Sequence, residues 1–219
     1  MRAEDRTPVV RLGARDRGPL LPRSTQRERL LDAMARTVGR DGFAGTSVAD
    51  VLGAARISRR TFYEQFIDKE DCFLAAYDAV VELCAERVGA AYRAEADWRT
   101  GVVRAVETLL EVLAAEPDFA RLAVVEVLGA GPRGLARRDA ALGRLAALVD
   151  DARSRAGAVA APPALVGQAI AGGIHELLHA AIVRGEGAEL PELAGEVLHY
   201  AFMLLGTPAR GADGGPAAG

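Results

Sequence analysis

Residues Thr46–Lys69 read TSVADVLGAARISRRTFYEQFIDK, and the reading of this stretch decides the fold. Ser47 is a good N-cap for a first short helix, with Val48, Val51, Leu52 and Ala55 at helical spacing. The pattern breaks at Ala55-Arg56-Ile57, and Ser58 caps a second helix. In that helix Phe62 and Phe66 fall four apart on one face, with Ile57 beside them. Arg59, Arg60, Thr61, Tyr63 and Gln65 are left on the other sides. A short helix with an apolar inner face and an outer face of arginines and hydrogen-bonding groups suits the major groove of DNA. Asp68-Lys69-Glu70 then opens a third, longer helix. Lys69 lies near its N-terminus, where free backbone N–H groups already favour a phosphate.

Over residues 42–70 the pattern is G-F-x-x-T-S-V-x-D-V-x-x-A-A-R-I-S-R-R-T-F-Y-x-Q-F-x-D-K-E. It resembles the helix-turn-helix of the TetR family, the tetracycline-repressor-like transcriptional regulators. One position departs: family members usually carry Gly at the turn, and this chain has Arg56. A non-Gly residue in a left-handed turn costs about 1 kcal/mol. Either Arg56 accepts that strain, gaining a phosphate contact, or the turn differs here. The bland alternative is a helical hairpin with solvated arginines. The resemblance implies a homodimer on a palindromic DNA operator, acting as a repressor that a small-molecule effector releases. It also implies the DNA-binding set. Arg59 and Arg60 would contact base edges or phosphates. Thr46, Ser47, Tyr63 and Lys69 would position the backbone, with Ser58 and Thr61 on the same helix.

The composition agrees with an all-α chain. Half of the 219 residues are hydrophobic and few are aromatic, and strand-like alternation is scarce. The net charge of −3 hides an asymmetry: residues 1–70 sum to +4 and residues 71–219 to −7. A basic N-terminal part on an acidic body fits nucleic-acid binding at one end.

The two cysteines, Cys72 and Cys84, are twelve residues apart on one helix. That is about 18 Å of helix, beyond disulfide reach. Two thiols without CxxC spacing fit a reducing cytosol and no structural zinc, with a thiol redox sensor as a minor reading. Arginines interrupt residues 2–29 throughout, so no signal peptide is expected there, and the expected location is cytoplasmic. The longest uncharged run, Gly157–Ile174, holds Pro162-Pro163 and four glycines. It reads as a loop entering a helix rather than a membrane span.

The expected organisation is a flexible arm (1–23), a three-helix DNA-binding domain (24–70), a helical effector-binding and dimerisation domain (71–206) and a disordered tail (207–219). The first helix is placed at about 24–40, with Gln26, Arg27 and Arg29 able to touch the DNA backbone. The helix from Lys69 to about Arg93 is a stiff link that, by the resemblance, transmits effector binding to the DNA-binding heads. Five further segments follow: 98–115, 118–129, 134–155, 163–184 and 190–205. The last is apolar around nearly its whole circumference and should bury two sides. By the resemblance, the last two helices pair with their two-fold mates as a four-helix bundle. The expected interface residues are His179, Val197, Leu198, Ala201, Phe202 and Leu205. The D-W, E-P-D-F-A-R-L and V-V-E-V-L-G-A-G-P phrases loosely resemble effector domains of the same family. The expected pocket liners are Trp98, Phe119, Leu122, Glu126, Ile174 and His175.

One constellation points to a different class. His175-Glu176-Leu177-Leu178-His179 is H-E-x-x-H, which on a helix places two imidazoles four apart for zinc, with the Glu able to activate a water. His199 or Glu196 would supply a third ligand. The extended forms of the motif fail, because residue 182 is Ile where Gly would sit and residue 185 is Gly where His would sit. A zinc-dependent hydrolase is therefore only the alternative reading. No other nucleophile–base set, phosphate loop or dinucleotide motif appears, so no catalytic residue, metal or cofactor is expected.

Overall fold

A computed structural model describes residues 21, 23–155 and 165–205. Among these the chain is all-α, with no strand. The helices are α1 (Gln26–Asp41), α2 (Val48–Ala55), α3 (Arg59–Gln65), α4 (Lys69–Arg93), α5 (Trp98–Ala115), α6 (Pro117–Val124), α7 (Gly131–Arg155), α8 (Leu165–Val183) and α9 (Ala194–Leu204). Short 3-10 segments follow α6 (Glu126–Gly129) and precede α9 (Gly187–Leu193). The expected arm, the expected tail and the loop around Pro162-Pro163 fall outside the described residues, apart from Leu21 and Arg23.

Side-chain caps set the starts of the N-terminal helices. Thr25 and Ser47 each form a capping box, with Glu28 and Asp50 returning the bond to the cap backbone. Ser58 accepts from the Thr61 N–H, and Asp68 accepts from the Asp71 N–H. Each such cap stabilises its helix by about 1 kcal/mol.

Arg56 sits in the left-handed region at φ 54°, ψ 50°. The strained turn is kept, and Arg29 is what holds it. The Arg29 Nη2 donates to the carbonyls of Ala55 (2.5 Å) and Arg56 (3.2 Å). These are carbonyls that a helix C-terminus leaves without partners. Arg27 lies over the Phe66 ring at 4.5 Å. Both arginines, read from sequence as phosphate contacts, are thus used to hold α3 and the turn against α1.

Several bounds differ from expectation, for identifiable reasons. Gly131-Pro132 begins α7 instead of breaking the chain, because proline fits a first helical turn where no N–H partner is required. The segment at 118–129 starts at Pro117 and tightens into 3-10 after Val124. The last segment is a 3-10 turn containing Pro191 followed by a helix from Ala194, since proline at 191 cannot sit inside an α-helix. Helix α8 is long and apolar enough to cross a membrane by length and composition alone. It nevertheless buries Ile170, Ile174 and Leu178 in the core of the body.

One hydrophobic cluster runs from the DNA-binding unit into the body. It joins Leu30, Met34 and Val38 of α1 and Phe62 of α3 to Phe73 and Tyr77 of α4, and to Phe119 and Leu122 of α6. Helices α1 and α6 cross closely at Gly39, where a Cβ would overlap the Asp118 backbone. Arg36 straps the crossing, lying 4.8 Å over the Phe119 ring and 3.5 Å from Glu116. A second cluster fills the space between α5, α6, α8 and α9, and a third closes the far end around Tyr92 and Phe202. The unit carrying α3 is therefore mounted on the body through shared core.

Two substitutions test this account. Gly39→Ala should destabilise the protein by about 1–3 kcal/mol, since the added methyl must push α1 off α6. Arg56→Gly should stabilise it by up to about 1 kcal/mol by relieving the left-handed backbone. Urea denaturation midpoints measure both.

Candidate nucleic-acid interface and effector cavity

Helix α3 buries Phe62 and presents the rest of its surface. Arg59, Arg60, Tyr63, Glu64 and Gln65 are exposed, and Thr61 is half-buried. The Arg59 guanidinium lies 5.8 Å from the Tyr63 ring centroid, and Arg60 pairs with Glu64 at 2.9 Å. That pair is fully solvated, so it gives way to a competing phosphate or base edge at little cost. Ser47 and Ser58 are exposed caps at the starts of α2 and α3. Glu64 was not expected at this surface from sequence; its spacing four after Arg60 was the available signal.

Two of the expected DNA contacts sit elsewhere. Thr46 is 3% exposed, and both its N–H and its hydroxyl donate to the Gly42 carbonyl. It has no donor left for a phosphate. The Lys69 ammonium donates to the Phe43 carbonyl (2.8 Å) and the Thr46 carbonyl (2.9 Å) and lies 4.2 Å over the Phe43 ring. Its charge is spent on closing the turn before α2. From the opposite side Glu126 accepts from the Phe43 N–H at 2.8 Å and pairs with Arg121 at 3.1 Å. Glu126 is thus a tether between the body and the DNA-binding unit. The pocket role expected for it does not hold.

The body holds a partly open cavity of about 180 Å³ between α4, α5, α6, α7 and α8. Its walls are mainly Val, Leu and Ala side chains, such as Val81, Leu113, Leu145 and Leu178. Of the expected liners, Ile174 and His175 are there. Phe119 and Leu122 instead fill the joint with α1, and Trp98 packs against Phe202 at the far end of the body. Tyr77, Cys84 and Arg138 line the cavity and were missed. Nothing in the local sequence distinguishes Arg138 from its neighbour Arg137; only the rotation of α7 does.

Burial favours the uncharged forms of His175, Tyr77 and Cys84 in the wall, and of Cys72 in the neighbouring core. Desolvation lowers His175 to about 4, with the nearby charge of Arg138 and then His179 adding to the effect. Burial pushes the Cys84 thiol up to about 11 and Cys72 to about 12, and raises the Tyr77 phenol. Neither thiol is the thiolate that a redox sensor would use.

The H-E-x-x-H segment lies on α8. His175 faces the cavity, while Glu176 is exposed. The His175 and His179 rings stand 6.5 Å apart, nearly parallel. Among the described residues no group of three His, Cys, Asp or Glu side chains comes together to hold a metal ion. His199 and Glu196 are exposed on α9. The expected interface residues Val197, Ala201 and Phe202 are already buried within the chain, and His179, Leu198 and Leu205 are half-buried. The apolar surface left open lies beside them: Leu165, Leu177 and Val183 on α8, and Met203 and Leu204 on α9.

A capped helix pair with an arginine-bearing outer helix, mounted on a helical body that holds a cavity, is a helix-turn-helix arrangement suited to DNA. Residues 30–76 match the family described as bacterial regulatory proteins, tetR family. That match is confined to the N-terminal unit, and the fold of the chain is similar to that of solved TetR-family regulators. Similar solved structures include the fatty acid degradation regulator FadR of Bacillus halodurans (18% identity, TM-score 0.72, 87% of this chain and 96% of that one). FadR of Bacillus subtilis, solved in complex with stearoyl-CoA, is similar at 17% identity and TM-score 0.70, over 79% and 96% of the two chains. SmeT, the repressor of the Stenotrophomonas maltophilia efflux pump SmeDEF, gives 16% identity and TM-score 0.67 over 83% and 90%. No curated protein sequence matches the chain.

The buried His175 yields a pH prediction. Its folded pKa lies below the ordinary value of 6.5, so folding favours the neutral ring. This contribution is complete above pH 6.5 and is lost as pH falls from 6.5 to about 4. Wild type should therefore lose about 2–3 kcal/mol more than His175→Leu between pH 7.5 and pH 4.5. Urea midpoints at the two pH values measure it; equal losses would contradict a neutral, desolvated ring.

Proposed function

We propose that this protein is a cytoplasmic, ligand-released repressor that binds a palindromic operator as a homodimer. The observation that carries the reading is helix α3: capped by Ser58, anchored by Phe62, and exposing Arg59, Arg60 and Tyr63. In the dimer two such helices enter major grooves about one DNA turn apart. Arg59 and Arg60 read base edges or phosphates. Ser47, Ser58, Thr61 and Tyr63 position the backbone.

The dimer forms through the open faces of α8 and α9. Leu165, Leu177 and Val183 on one helix and Met203 and Leu204 on the other supply its apolar surface. Gly172 has open space where a Cβ would stand, which permits a close helix approach. The similarity to regulators of fatty acid degradation and to an efflux-pump repressor favours this role over a protein that only organises DNA.

Effector action follows from shared walls. Ala123 and Val124 of α6 line the cavity, and two residues later Glu126 holds the turn that leads into α2. A molecule that fills the cavity and displaces α6 moves that turn, and α3 with it. Its leverage equals its differential affinity for the two arrangements.

Mobility-shift titrations over an operator series test the assignment. Arg59→Ala or Arg60→Ala should cost about 1–3 kcal/mol on the cognate site and relax its specificity, whereas Tyr63→Phe should weaken all sequences alike. Lys69→Met separates two roles. With its ammonium closing the turn, the variant should lose thermal stability and DNA affinity while keeping the salt dependence of binding. A salt slope lower by about one would instead mean a direct phosphate contact. Sedimentation showing a monomer, or no preference for any palindrome in selection from random oligonucleotides, would overturn the reading.

A further inference from the structure

Three arginines of α7 reach across to acids of α4. Arg133 pairs with Glu70, Arg137 with Asp78, and Arg144 with Glu82. Arg138 does not join this row. Its Nη1 reaches its own neighbour Asp139 at the surface, at 3.1 Å. Arg138 lines the cavity, and its Nε is buried with no hydrogen-bond partner among the described residues. The same holds for one atom of His175, whose Nε2 is buried and unpartnered in the same wall. A buried donor left unpaired costs about 1–3 kcal/mol. Two buried, unpaired nitrogens on residues that line one apolar cavity mark a place that a ligand completes, the imidazole donating where its proton is on Nε2.

We propose that the effector is a small monocarboxylate, its carboxylate held by Arg138 Nε–H and the His175 ring and its apolar body in the cavity. The inference rests on the reading of the chain as a ligand-responsive regulator and names the class of its ligand. Charge count selects a monoanion. Arg144 pairs closely with Glu82 and the His175 ring is neutral, whereas Arg138 is compensated only through Nη1 by the well-solvated Asp139, so Arg138 is the cation left to act in the wall. A dianionic phosphate would remain half uncompensated among Val, Leu and Ala side chains. A neutral imidazole can carry its proton on Nε2 and donate it to the second carboxylate oxygen. Size selects a short body. A cavity of about 150 Å³ lined by apolar side chains holds a benzene ring, and this one is about 180 Å³. The fit is therefore a single aromatic ring or a short alkyl chain. The contiguous space toward α9, sharing Val88, Leu109 and Ile174, adds only about 30 Å³. A long acyl chain exceeds both and would have to run out through the open side.

Calorimetric titration of the purified full chain, without DNA, tests this with benzoate against its neutral analogue benzyl alcohol. Benzoate should bind at least about tenfold more tightly, as expected for a charge-assisted hydrogen bond in a buried site. Arg138→Gln should remove that preference and leave benzyl alcohol binding within about twofold, since the apolar walls are unchanged. Arg137→Gln, which alters only the surface row, should leave benzoate affinity as it was. Retained operator binding by Arg138→Gln in a mobility shift shows that the variant is folded. Equal affinity for benzoate and benzyl alcohol, an unchanged benzoate affinity in folded Arg138→Gln, or palmitate displacing benzoate at lower concentration would each overturn the proposal. The two readings fail separately. Intact operator binding with no benzoate preference removes the carboxylate site alone. Benzoate binding that leaves operator affinity unchanged removes ligand release alone.

Discussion

Two opposite charges grip one short turn, and the placement of α3 depends on them. The segment 43–46 leads from α1 into α2. Lys69, at the start of α4, donates to two of its carbonyls; Glu126, after α6, accepts from the Phe43 N–H. A backbone segment outside regular structure has unpaired donors and acceptors on both sides, and each left buried and unmade would be costly. Here a cation satisfies one edge and an anion the other. Because the two side chains come from different helices, the turn registers any relative shift of α4 and α6. Helix α2 begins directly after it, and α3 is fixed to α2 through the strained Arg56 and the Arg29 that caps it.

Within the body, the same economy of polar groups produces the opposite result. The core is built from small aliphatic residues, and most polar side chains reach the surface or a partner. Where α7 turns Arg138 inward and α8 presents His175, two nitrogens remain without one. Burial keeps the histidine neutral and the nearby phenol and thiol protonated. The cavity therefore combines apolar walls with a single localised positive charge, an arrangement that discriminates strongly by ligand charge and less sharply by ligand shape.

The DNA-binding half was legible in the sequence because its signals are local. Ser47, Ser58 and Asp68 cap helices a few residues away, and Phe62 and Phe66 set the buried face by spacing alone. What sequence did not reveal was the use of polar side chains across distance. Lys69, Thr46, Arg27 and Arg29 look like phosphate ligands in a basic segment, yet the fold turns them onto carbonyls and a ring. In the body, the helices were placed within a few residues, except where Pro132 and Pro191 changed meaning with position. The pocket was only partly legible. An apolar residue such as Phe119 or Leu122 fits a core, a cavity wall or an interface equally well until helix packing decides. Arg138 and Arg137 are adjacent and alike, and a rotation of one residue along α7 separates a surface ion pair from a cavity wall.

The row of ion pairs between α4 and α7 is about half exposed, and this has a bearing on how anything gets inside. Rungs of this kind contribute little individually, because separated ions are hydrated almost as well as paired ones. Parting Arg144 from Glu82 therefore uncovers no group that water cannot serve, and it does so at the edge of the hollow space. Parting this seam breaks only exposed ion pairs, which dissolved salt weakens further.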